Sequence, residues 1–76
     1  MQLDIITADK TIFSGQIDAV TLPGSNGSFQ ILKGHAALIS SLEKGKIVVK
    51  NKEGKQEFEV SGGVVEVLNN KIVVLA

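Results

Sequence analysis

The chain has 76 residues, 43% of them apolar and 21% charged, with eight Lys and no Arg against eight acids, one His and no Cys. That length allows one domain near the lower limit for independent folding, where only about 60% of the unfolded chain's surface becomes buried. The composition excludes a disulfide framework and a four-ligand zinc site, zero net charge without Arg argues against a nucleic-acid partner, and no stretch of about 20 apolar residues is available for membrane insertion.

Alternation with period two begins at once, with Leu3, Ile5 and Thr7 on one face of an opening strand. After a break at Ser14-Gly15, Asp18, Val20 and Leu22 alternate with Ile17, Ala19 and Thr21, until the turn-forming run Pro23-Gly24-Ser25-Asn26-Gly27 stops the strand. Phe29 and Ile31 resume the pattern. The best helical candidate is Ala36 to Glu43, yet it is short and contains Ile39, Ser40 and Ser41, so an irregular strand or a single helical turn fits equally well. Strand patterning returns with Ile47 and Val49, Phe58 and Val60, Val65 and Val67, and Ile72 and Val74. These segments are separated by Asn51-Lys52-Glu53-Gly54, Gly62-Gly63 and Asn69-Asn70. The last spacer predicts a two-residue hairpin, because Asn tolerates positive φ. Seven or more short strands with turn residues between them point to an all-β sandwich or small barrel.

Few residues could carry chemistry. His35 is the only residue of the type whose unperturbed pKa lies near neutrality, and Asp18 or Glu66 would have to approach it for acid-base work; a structural or interface role is the simpler expectation. Ser25 lacks the glycine framing of a strained nucleophile elbow. The Gly24 to Gly27 loop invites an anion-cradle reading, but it runs into a strand-like Ser28-Phe29-Gln30-Ile31 and lacks the Lys and helix of a phosphate loop. Between Glu43 and Glu59, five Lys and four Glu read as a solvated hairpin with cross-strand ion pairs. Lys52 near its tip keeps open a lipoyl- or biotinyl-type carrier domain, although its Asn51 and Glu53 neighbours do not match the carrier pattern.

The stretch from Leu22 to Ser40, Leu-Pro-Gly-Ser-Asn-Gly-Ser-Phe-Gln-Ile-Leu-Lys-Gly-His-Ala-Ala-Leu-Ile-Ser, resembles the signature of the epsilon subunit of the F-type ATP synthase. Phe13-Ser14-Gly15, Leu42 to Ile47, Phe58 to Val67 and the closing Val73-Val74-Leu75-Ala76 fall in that family's order, so the resemblance covers essentially the whole chain.

The resemblance implies a flattened β-sandwich of two antiparallel sheets over residues 1–76. It also implies a non-catalytic central-stalk role without cofactor or metal, linking the gamma subunit to the c-ring on the cytoplasmic face of a bacterial inner membrane. By the same resemblance, Ser25, Asn26, Gly27 and Ser28 match the segment that meets the c-ring, and Thr7, His35 and Ser40 match positions facing gamma. Two departures carry expectations of their own. Asn26 and Ser28 are uncharged where many members carry an acid, which shifts the c-ring contact toward hydrogen bonding or shape. Ala37 stands where Pro is common, removing one φ restraint. No residues here match the C-terminal helical pair of longer members, so helix-based inhibition of ATP hydrolysis is not expected of this chain.

Overall fold

The computed structural model describes residues 1–76 as nine β-strands with no helix. They are β1 (Gln2–Ile6), β2 (Thr11–Gln16), β3 (Ala19–Gly24), β4 (Gly27–Leu32), β5 (Leu38–Leu42), β6 (Gly45–Asn51), β7 (Gly54–Val60), β8 (Gly63–Leu68) and β9 (Lys71–Leu75). Alternation decides which side chains meet. Leu3 and Ile5, Val20 and Leu22, Ile31, Ile47 and Val49, Val65 and Val67, and Ile72 and Val74 all turn inward and are buried in one core. No polar or charged side chain is buried there, so every contact in the interior is apolar.

Hydrogen bonding links the strands in the order β2-β1-β9-β8-β5-β3-β6-β7, with β4 attached to the other side of β3. The step from β5 to β3 is a single pair, Gly24 with Leu42. The path therefore folds into two layers, a five-stranded sheet β2-β1-β9-β8-β5 and a four-stranded sheet β4-β3-β6-β7, joined along one side by that bridge. Along the opposite side Phe13 of β2 meets Phe58 of β7, with ring centroids 5.6 Å apart and planes tilted by 60°. The body measures 26 × 24 × 19 Å, and its short dimension suits two sheets about 10 Å apart with side chains on both outer faces.

Pairing differs from the expected antiparallel scheme in one place: β1 runs parallel to β9, from Gln2 beside Lys71 to Ile6 beside Leu75. A parallel pair needs a long crossover, and here the rest of the domain supplies it. The Ala36 to Glu43 region settles as strand, because β-branched Ile39 and the serines suit pairing with β8 better than an isolated helical turn. Ser14-Gly15 is not a break but the interior of β2; the chain turns later, at Ile17 and Asp18. Thr7 lies just past the end of β1 rather than on its inward face.

Turns follow their residues. Asn69 and Asn70 adopt φ of 51° and 62°, the paired positive values of a two-residue hairpin that matches strand twist. At the start of β8, Gly63 has φ of 140°, and a Cβ there would collide with the Leu75 carbonyl oxygen; only glycine lets β8 enter beside the end of β9.

Candidate functional site

The β3–β4 hairpin presents Ser25 and Asn26 as its two-residue tip, closed by the pairing of Gly24 with Gly27. Gly27 takes φ of 113°, which a side chain would strain, and a Cβ on Gly24 would stand 2.8 Å from the Phe29 ring. Ser25, Asn26, Gly27 and Ser28 are all exposed, so they form one contiguous, uncharged, polar tip. No built anion cradle results, because the tip runs directly into β4 and no helix follows it.

Thr7, His35 and Ser40 occupy separate points. Thr7 closes the turn to β2: its Oγ1 donates to the Lys10 carbonyl at 3.2 Å and accepts from the backbone N–H groups of Asp9 and Lys10. His35 is exposed on the β4–β5 connection, with Nδ1 2.7 Å from the Ala36 carbonyl and no carboxylate bonded to the ring. Neither Asp18 nor Glu66 partners it, so the acid-base alternative has no geometry behind it. The loop holding His35 is tied to the β8–β9 turn by the Gly34 N–H donating to Asn70 Oδ1 at 3.2 Å. Ser40 is half-buried on β5 and donates to the Ser41 carbonyl. Thr7 lies at the end of the five-stranded sheet where Ile6 pairs with Leu75, and His35 lies at the opposite end, beside Asn70. Ser40 lies between the two ends, opposite Val65.

Ser40 therefore faces the inner side of its sheet, and the feature that inward-facing alternation does not reveal is the outer side. On the outer face of the five-stranded sheet, register aligns Ile39, Glu66, Val73, Asp4 and Ser14 in one row. Ser41, Val64, Leu75, Ile6 and Thr11 form the next. Four of the domain's five exposed large apolar side chains, Ile39, Val64, Leu68 and Leu75, stand on this face, with Ile39 72% exposed and Leu75 55%. The signal was available in the sequence: Val64-Val65, Val67-Leu68 and Ile72-Val73-Val74-Leu75 are apolar in both phases, as strands covered on two sides are.

The four-stranded sheet presents a different outer face. There Gln30, Thr21, Val48 and Glu57 form one row, and Leu32, Ala19, Lys50 and Lys55 another. Lys46 pairs with Glu57 at 3.5 Å, but both side chains are largely exposed, so the pair contributes about 0–1 kcal/mol. Lys52 is exposed at the tip of the β6–β7 hairpin, whose turn is closed by the Glu53 N–H donating to Asn51 Oδ1. The largest depression, about 500 Å³, lies between Met1, Asp18, Lys33 and Lys52, open to solvent and without convergent buried polar groups. No group of three His, Asp or Glu side chains is placed to hold a metal ion.

On the apolar face, hydrogen bonds from Ser14 and Gln2 hold the Asp4 carboxyl below its ordinary pKa, with a smaller contribution from Lys71. Asp4, which flanks Val73 in the row that also holds Glu66, is thus kept ionised by its neighbours.

The family model for the ATP synthase delta/epsilon chain β-sandwich domain matches residues 1–76, the whole of this two-layered body. The chain belongs to that family. The ATP synthase epsilon chain of Chlorobaculum tepidum is 45% identical over 74 residues, covering 96% of this chain and 84% of that relative. The epsilon chain of Dehalococcoides mccartyi is 42% identical across the whole chain, which spans about half (54%) of that longer relative. Among solved structures, a chain of the Euglena gracilis mitochondrial ATP synthase OSCP/F1/c-ring assembly superposes with a TM-score of 0.89 at 23% identity, over 97% of this chain and 48% of that one. A chain of the Tetrahymena thermophila ATP synthase central stalk and c-ring gives 0.82 at 21%, over 97% and 60%. At those identities the structural likeness speaks for the fold, and the epsilon-chain assignment stands on the family model and the sequence relatives. An epsilon chain is a peripheral part of a membrane-bound complex, and no helix here is long and apolar enough to cross a membrane.

Proposed function

We propose that this domain is a non-catalytic coupling piece of the ATP synthase rotor, held between the gamma subunit and the polar loops of the c-ring on the cytoplasmic face of a bacterial plasma membrane. The observation that carries the proposal is the gathering of Ile39, Val64, Leu68 and Leu75 on one outer face, since exposed apolar patches of this kind mark protein contacts. Gamma covers that face, with Thr7 and His35 at its two ends; Ser40, paired opposite the buried Val65, turns its side chain the other way and would meet gamma only from the open edge of β5. The tip formed by Ser25, Asn26, Gly27 and Ser28 meets the c-ring by hydrogen bonding and shape, because none of the four is charged. The two structural neighbours are chains of ATP synthase assemblies that include a c-ring, which supports such a setting.

Torque has to cross the domain without slip. Two sheets bridged by Gly24 and Leu42 on one side and by Phe13 against Phe58 on the other, with an all-apolar interior, resist shear between layers. Reconstitution tests the whole proposal. Adding the chain to ATP synthase depleted of its epsilon chain is expected to restore ion-driven ATP synthesis, and Asn26→Trp at the tip is expected to lower that restoration more than about tenfold. Equal restoration by both proteins would remove the tip from the c-ring contact, and no restoration by either would remove the coupling role.

A further inference from the structure

Three strands have only one hydrogen-bonded neighbour, and they are not protected alike. Free edges invite pairing with other chains, and proteins blunt them with charges, prolines or bulges. Strand β7 carries Lys55, Glu57 and Glu59 along its length. Strand β2 is bulged: Ile5 pairs with Phe13 and Ile6 with Thr11, leaving Ile12 unpaired. Strand β4 has none of these devices. It pairs with β3 in unbroken register from Gly27 to Leu32, and Gly-Ser-Phe-Gln-Ile-Leu contains no charge and no proline.

Its position gives the bare edge a meaning. One end of β4 is the tip that carries Ser25 and Asn26, and the other leads into the His35 loop. On the rotor assignment proposed above, β4 thus runs between the c-ring contact and a gamma contact. We infer that β4 is a pairing edge that accepts an extended segment of the gamma subunit as an additional strand of the four-stranded sheet. Alternate residues of an antiparallel edge strand direct their N–H and C=O groups outward, so the backbone supplies the affinity. The side chains set what fits. Ser28, Gln30 and Leu32 are exposed on the outer face, Leu32 to 53%, while Phe29 and Ile31 face the core. The incoming strand is therefore uncharged, with small or amide side chains opposite Ser28 and Gln30 and an apolar one opposite Leu32.

The test uses the complex of this chain with its cognate gamma subunit, made by co-expression and followed by amide hydrogen exchange. Alternate β4 amides are expected to exchange at least about tenfold more slowly than the outward amides of β7 in the same complex. Placing charge on the edge with the double substitution Ser28→Lys and Gln30→Lys, both exposed positions, is expected to weaken gamma binding by more than about tenfold, whereas Gln56→Lys on β7 leaves it unchanged. A stable complex whose β4 amides exchange as fast as those of β7 overturns the pairing and leaves the rotor assignment standing. Failure to form any complex removes both.

Discussion

The two outer faces of this sandwich cover the same core and could hardly differ more. On the four-stranded sheet, Lys46, Lys50, Lys55 and Glu57 stand in water around Val48, the usual dress of a solvated surface. On the five-stranded sheet, Ile6, Ile39, Val64, Leu68, Val73 and Leu75 outnumber the charges of Asp4, Glu66 and Lys71. Stability needs only the inner faces. The outer contrast is therefore free to serve contacts, and on the function proposed above the apolar face is the one a neighbour covers.

If that is right, the two layers are equivalent inside and unequal outside, and the largest effects will be the symmetrical ones. Ile47 of the four-stranded sheet and Ile72 of the five-stranded sheet are both fully buried. Either Ile47→Ala or Ile72→Ala is expected to lower unfolding free energy by about 2–5 kcal/mol, from lost transfer energy plus the cavity left behind. For a domain of this size that is a large part of a total near 5–15 kcal/mol. Urea denaturation followed by circular dichroism measures it, and a loss confined to one of the two variants would show that the layers do not share one cooperative core.

Breaking the outer asymmetry comes next in size. Leu75→Asp on the apolar face is expected to weaken binding to gamma by more than about tenfold. Val48→Asp, its counterpart on the charged face, is expected to change binding by less than about twofold. Both positions are on outer faces, so calorimetric titration of the two variants, with their melting curves as the fold check, separates a binding loss from a folding loss. Comparable losses from both would erase the distinction between the faces.

Much of the inner architecture was legible in the sequence because period-two alternation is a local property. Ile47 with Val49, Val65 with Val67 and Ile72 with Val74 are written as core positions and are buried, and Asn69-Asn70 announces its own turn. What was not legible depends on distant partners. The parallel meeting of β1 and β9 is set by how the whole chain wraps, and β2 escaped notice because its bulge at Ile12 breaks the alternation. The tip Ser25 to Ser28 was legible as an exposed turn, whereas the separation of Thr7 and His35 to opposite ends of one sheet requires the strand order.

The smallest effect is also the one that reads the apolar face directly. Asp4 is held ionised by Ser14 and Gln2, so its folded-state pKa lies below the unfolded value. The sign follows: the contribution to stability is fully present above the unfolded carboxylate range, near pH 4, and fades as pH falls through the lower folded value. Asp4→Asn is therefore expected to be less stable than the parent at neutral pH, with the difference shrinking on acidification, and Ser14→Ala is expected to raise the Asp4 pKa in a carboxyl carbon NMR titration. Because the carboxylate is solvent-exposed, the stability difference will be small. The same titration in the complex with gamma carries the sharper prediction. Asp4 shares a row with Ile39, Glu66 and Val73, so a partner that covers this face removes water from the carboxyl and moves its pKa upward. A titration curve unchanged by gamma would mean that the row remains in water, and that the partner sits on another side of the sandwich.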